Sequence, residues 1–244
     1  MRIDTLVLQM RPRAAHEAAD LGIRLAQENL AAVYRCYLVA AIPVALIALS
    51  LFEVAPWLPW LFMACAKPWL DRTVLFVLAR AAFGQPTTLR DLWVNQRQVW
   101  WQQFLLSWTW RRLSPWRSFT QPVYQLESLG FMAIRRRVAQ VRRRHSGSAL
   151  AMTIAFSFAE SALVMSLFSL LYWFAPPGTD FDLLRLFAAE THTFFQLSVS
   201  IAYVLAVMFL EPFFVAAGFG IYLNRRAELE AWDVEQELRR AFAT

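Results

Sequence analysis

The sequence predicts an all-α integral membrane protein of about four transmembrane helices, with interfacial amphipathic helices between them and both termini in the cytoplasm. Three observations predict it. The chain is 58% hydrophobic and 17% charged over 244 residues, whereas soluble domains carry about a quarter charged residues. Its apolar residues gather into runs close to the ~20 residues that a span requires. Its net charge of +6, carried by 23 arginines and a single lysine, lies mainly between those runs.

Residues 1–35 predict a cytoplasmic or interfacial helix. In "RPRAAHEAADLGIRLAQENLAAVYR" the residues Leu21, Leu25 and Ala32, with Ala14 and Ala18, make a modest apolar face, which Gly22 weakens. Residues 36–79 predict a first transmembrane hairpin. One span runs from Cys36 to Phe52, "EVAPWLP" turns the chain with two prolines and Glu53, and a second span runs from Trp57 to Ala79. Residues 149–223 predict a second hairpin, with spans from Ala149 to Phe174 and from Phe194 to Leu223. The last of these is long enough to need tilt or a kink.

Between the hairpins, residues 80–148 read as an arginine-rich cytoplasmic segment lying in the headgroup region. Trp93, Trp100, Phe104 and Trp108 fall on one helical stripe, and Phe131, Ile134, Val138 and Val141 on another. The connector "RRLSPWRSFTQPVYQLESLG" carries two prolines and reads as extended. Residues 224–244 predict a cytoplasmic amphipathic tail with Leu229, Trp232 and Leu238 on its apolar side.

Charge sets the orientation. From Arg80 to Arg144 there are twelve arginines against Asp91 and Glu127, while "APPGTDFDLLRLFAAETH" carries three acids and one arginine. Positive residues stay on the cytoplasmic side, so the termini and the central segment belong there. In a soluble protein such a basic balance would suggest nucleic acid. Beside spans, Arg135, Arg136, Arg137, Arg142, Arg143 and Arg144 predict contact with the anionic lipids of the inner leaflet, and no nucleic-acid partner is expected.

Chemical motifs are missing from the sequence. Cys36 and Cys65 sit in apolar runs, and His16, His145 and His192 have no partner at metal-ligand spacing. There is no GxSxG, HExxH, P-loop or GxGxxG pattern. Ser157 and Ser161 flank Glu160 at spacings that suit helix packing through small hydroxylated residues. The expectation is a protein without metal, cofactor or catalytic residues.

The chemistry that remains is a layer of charge inside the spans. Lys67 lies twelve residues from the inner end of its span, Glu160 eleven and Glu211 twelve, which is roughly 16–18 Å deep at 1.5 Å per residue. Asp71 and Arg72 are slightly shallower. An unpaired charge at mid-bilayer costs about 2.5–3.5 kcal/mol on insertion scales. Pairing Lys67 and Arg72 with Asp71, Glu160 and Glu211 would remove most of that. The layer reads either as a salt-bridge lock between helices or as a site for a polar ligand or ion. "KPWL" and "EPFF" also place Pro68 and Pro212 directly after a charge, which predicts helix breaks at this depth and permits an ancient hairpin duplication.

Tyr222 and the Arg225–Arg226 pair predict an anchor at the inner lipid interface. Tyr222, Arg225 or Arg226, Glu230 and Asp233 also follow the order of a Tyr-x-x-Arg-x-x-x-Glu-x-x-Asp signature. In this the chain resembles bacterial polytopic proteins related to the membrane domain of glycerophosphoryl diester phosphodiesterases, whose last span ends in that signature. "RPRAAHEAADLGIRLA", "KPWLDR" and the 111–130 connector resemble one uncharacterised branch of that group. The phosphodiesterases add a separate catalytic barrel, which is missing from these residues. The branch resembled is often encoded beside MoxR-type ATPases and their integrin-like partners, which implies a place in a membrane assembly with a cytoplasmic ATPase-containing complex. The missing catalytic motifs, the basic inner face and the tail helix predict a non-enzymatic scaffold or adaptor subunit of a bacterial inner-membrane complex. The alternative on the residues themselves is a small transporter or lipid-handling protein that uses the charged layer.

Overall fold

A computed structural model describes residues 13–101, 114–127, 130–173 and 193–230, and all regular structure among them is helical. The helices are α1 (Ala15–Glu28), α2 (Leu30–Ser50), α3 (Leu58–Ala82), α4 (Leu89–Val94), α5 (Arg117–Leu126), α6 (Phe131–Trp173) and α7 (Thr193–Glu230). A 3₁₀ turn follows α2, and a π-helical turn occupies Arg97–Trp101.

Among the described residues, three helical stretches are long and apolar enough to cross a membrane: Leu30–Glu53, Met132–Leu170 and Phe195–Leu229. The 25-residue α3 has the length, but it carries Lys67, Asp71, Arg72 and Arg80. Leu46, Phe158, Met165 and Phe209 stand exposed on α2, α6 and α7. An apolar outer surface of this kind suits lipid and would be a liability in water.

α7 is the hub, since α1, α2, α3, α5 and α6 all pack on it. Its apolar window is 61% buried, whereas none of the corresponding window of α6 is. α6 therefore lies at the rim of the bundle, while α3 and α5 are enclosed. α3 stops at Gly84, whose φ of 67° completes a Schellman cap: Gly84 N–H donates to Ala81 O and Gln85 N–H to Arg80 O. The N-terminus of α4 is closed by a capping box between Thr88 and Asp91.

Several elements differ from the sequence reading. α1 is clamped to α7, and Gly22 makes the contact rather than weakening the helix. A Cβ on Gly22 would fall on the carbonyl of Ala216, and one on Gly220 on the carbonyl of Ala18, so two glycines let the backbones touch. Ala14, counted on the apolar face, is exposed. At the same end, Asn224 accepts from the Arg13 N–H and donates to the Arg13 carbonyl, tying the start of α1 to α7.

The connector expected to be extended contains α5, which runs through Pro122. Pro115 and Pro122 suggested a turn, but Phe119 and Val123 make a helical pair, and both are fully buried. Gly218 of α7 leaves room for Ser118 of α5. The interfacial helix expected near 131–141 and the span expected from Ala149 are one helix, α6. Ser146, Gly147 and Ser148 carry no strong stop signal, and a break there would leave backbone groups unsatisfied.

Of the tryptophan stripe, Trp93 and Trp100 are described and meet edge to face, with ring centroids 6.4 Å apart. Trp93 is exposed, whereas Trp100 turns inward and donates to Thr73 Oγ1; Phe104 and Trp108 lie outside the described residues. Pro68 and Pro212 do not break α3 and α7, which continue through them. Each proline costs one N–H, a loss that neighbouring helices can cover.

Candidate functional site

The site grows from α5, whose first residue is pushed into the centre of the bundle. Thr153 donates to the Pro115 carbonyl at 2.7 Å, and the Trp116 indole N–H donates to the Ser146 carbonyl at 2.9 Å. These two bonds hold the entry of α5 against α6. Further along, the amides of Gln121 and Gln125 donate to the carbonyls of Pro68 and Arg72 at 2.8 and 2.9 Å. One helical turn of α5 thus grips one turn of α3, with both glutamines buried. Arg117 emerges from this docking beside the acids of α3 and α7.

There it donates to Glu211 Oε1, and its Nε lies 3.5 Å from Asp71 Oδ2. Lys67 donates to Glu160 Oε2 at 2.6 Å and lies 3.6 Å from Glu211 Oε2. Glu211 is therefore shared between the two cations. The charged residues predicted at one depth on three spans do meet, with one exchange among the cations. Arg72 sends its Nε and Nη2 to the carbonyls of Val99 and Gln98, and the cation beside Asp71 is Arg117.

Arg117 is not among the charges the sequence predicts for this layer, because "RSFTQPVYQL" lies in the connector that reads as extended. One signal was available: Phe119 and Val123, and Gln121 and Gln125, recur at the helical interval of four.

Aromatic rings complete the cluster. The Lys67 ammonium lies 5.5 Å from the Tyr203 ring centroid, and the Arg117 guanidinium 5.0 Å from that of Phe214. A cavity of about 350 Å³ opens onto the charges, lined by Trp60, Lys67, Arg117, Phe156, Ser157, Glu160, Glu211 and Phe214 among others. That is within the size range of small-ligand pockets. Asp71 is fully buried and does not line it. The hydroxyls of Ser157 and Ser161 donate one turn back along α6, to the Thr153 and Ser157 carbonyls.

The signature near the end of α7 is also spoken for. Tyr222, expected at the lipid interface, is fully buried and donates to Glu127, which is paired with Arg137. Arg225 donates to Glu228, which also lies 3.2 Å from His145 Nε2. Glu230 closes the described part of α7, and Asp233, with Trp232 and Leu238 of the predicted tail, falls outside the described residues.

Of the six arginines assigned to lipid headgroups, Arg135, Arg136, Arg143 and Arg144 are exposed. Arg137 pairs with Glu127, and the Arg142 guanidinium stacks 3.8 Å over the Trp116 ring. Cys36 is buried and Cys65 half-buried, and no group of three potential metal ligands occurs among the described residues. Compared with protein-family models, with curated proteins and with solved structures, the chain matches none.

Proposed function

We propose that the chain is a four-span protein of the bacterial inner membrane, both termini cytoplasmic, that binds a polar ligand in the α3–α5–α6–α7 cavity to carry or handle it within the bilayer. The fourth span is α3. Its 25 residues reach about 37 Å at 1.5 Å per residue, and its charges face inward to partners, the condition under which membranes tolerate them. α5 is then a short helix dipping into the bundle from the cytoplasmic side, with its polar groups met by α3.

One observation carries the ligand-binding reading: Lys67, Arg117, Glu160 and Glu211 all line an open cavity. A salt-bridge lock needs no cavity, and close packing normally removes one. We read the role as binding rather than chemistry: of the hydroxyls that line the cavity, those of Thr153 and Ser157 already donate to backbone carbonyls. A second reading, the scaffold or adaptor, is favoured by Arg135, Arg136, Arg143 and Arg144. They stand exposed on the α6 extension, where anionic lipid or a cytoplasmic ATPase-containing complex would meet them.

Glu160→Gln separates the readings. It is isosteric and keeps a hydrogen-bond acceptor for Lys67. Ligand handling predicts loss of bound small molecule or lipid, read by native mass spectrometry of gently extracted protein, with folding and partners retained. A scaffold predicts an unchanged ligand complement and a stoichiometric protein partner, and that result would overturn the proposal.

A further inference from the structure

The acids of the site outnumber its cations. Among the described residues, Lys67 and Arg117 face Asp71, Glu160 and Glu211, and the neighbouring Arg72 is turned away to the Val99 and Gln98 carbonyls, so with every group ionised the cluster holds one uncompensated negative charge. Both carboxyl oxygens of Asp71 are buried without a hydrogen-bond partner among the described residues. A buried charge of this kind is neutralised by a proton or by an arriving cation. Hydrogen-bonding capacity points the same way. Lys67 and Arg117 already donate to carboxylates, while both carboxyl oxygens of Asp71 still lack a donor. An anionic ligand would add to the excess of acid, whereas a cationic ligand adds what the cluster lacks.

The walls of the cavity narrow the class of cation. Trp60, Phe156 and Phe214 stand around Glu160 and Glu211. Aromatic faces combined with carboxylates recognise alkyl-ammonium groups, whereas a hard metal ion demands a shell of about six or more oxygens, which rings do not supply. The rim position of α6, with none of its apolar window buried, brings this wall to the lipid-facing side of the bundle.

We infer that the cavity binds an alkyl-ammonium group, of a free amine or of an aminolipid headgroup, in exchange for the proton that otherwise balances the cluster. The inference rests on the proposed ligand-binding reading. The ammonium enters, the proton leaves to bulk water, and the charge of the site is unchanged. The groups that set the exchange are Lys67 and Asp71 from α3, Arg117 from α5 and Glu160 from α6, with Glu211 and Tyr203 from α7 and Tyr37 from α2.

The test uses full-length Ser157→Cys in phosphatidylglycerol nanodiscs. Its alkylation by N-ethylmaleimide is followed by peptide mass, which separates it from Cys36 and Cys65. Ala64→Cys, on the α3 wall, serves if the first variant fails to fold. At ten times its dissociation constant, tetraethylammonium should slow alkylation about tenfold, with a pH indicator reporting about one proton released per cation bound by the unsubstituted protein. That result supports a free amine. Protection only when phosphatidylethanolamine replaces phosphatidylglycerol supports an aminolipid. Alkylation that neither changes, or that inorganic phosphate slows instead, overturns the ammonium inference and leaves the cavity standing. No alkylation of either cysteine at any pH means the cavity is closed, and both readings fall.

Discussion

Replacing Arg117 with methionine removes the cation that Asp71 and Glu211 share. The side chains are 13%, 0% and 3% exposed respectively, so water cannot take over. Glu211 keeps Lys67 at 3.6 Å, but Asp71 loses the guanidinium 3.5 Å away. Methionine retains much of the arginine stem but not the guanidinium over Phe214, so the loss is mainly electrostatic. Breaking one partner out of a buried pair costs about 3–5 kcal/mol. At about 2–4 °C per kcal/mol for a chain of this size, Tm should fall by about 6–20 °C. Near-ultraviolet circular dichroism in detergent micelles measures it. Adding Asp71→Asn removes the stranded charge and should restore about 1–3 kcal/mol. A single-variant loss below about 1 kcal/mol, the range of an exposed pair, would refute the reasoning, as would a double variant no more stable than the single.

Three further outcomes follow from the packing and the caps. Gly220→Ala should lower stability by about 1–3 kcal/mol, because its Cβ meets backbone rather than a movable side chain. Gly147→Ala, with nothing near its Cβ, should instead gain up to about 1 kcal/mol from helix propensity; thermal unfolding checks the pair. Gln121→Leu should cost about 1 kcal/mol and speed amide exchange in α5 specifically, since it removes one of two bonds to α3. The Asp91 carboxyl is held below its usual value near 3.8 by the backbone N–H and then the hydroxyl of Thr88. The cap is therefore at full strength above that usual value and is lost as pH falls through the lowered folded one. Carbon-detected NMR of Thr88→Ala should find the Asp91 titration moved up towards 3.8.

The site and the elements around it place different demands on a sequence reading. Lys67, Glu160 and Glu211 could be assigned to one level because a helix converts residue number into height at a fixed rise. That shared level makes ion pairs among them possible, and Lys67 does meet both Glu160 and Glu211. Arg117 could not be found this way. Its height depends on where α5 docks, and docking depends on Gln121 and Gln125 finding carbonyls of α3. Tyr222 misled for a related reason. Its place at the end of an apolar run suits an interface, but Glu127 covers it from a part of the chain 95 residues away.

By itself the sequence determined that the chain is helical, that it has helices able to cross a membrane, and that charge is buried within them. Composition, run length and helical rise are local quantities, and each can be counted along the chain. Only the tertiary structure decided which cation meets which acid, that Gly22 and Gly220 are a contact rather than a weakness, and that the charges border a cavity. Those outcomes depend on distances between segments remote in sequence, which are set by how helix surfaces fit together and by where buried polar groups find partners.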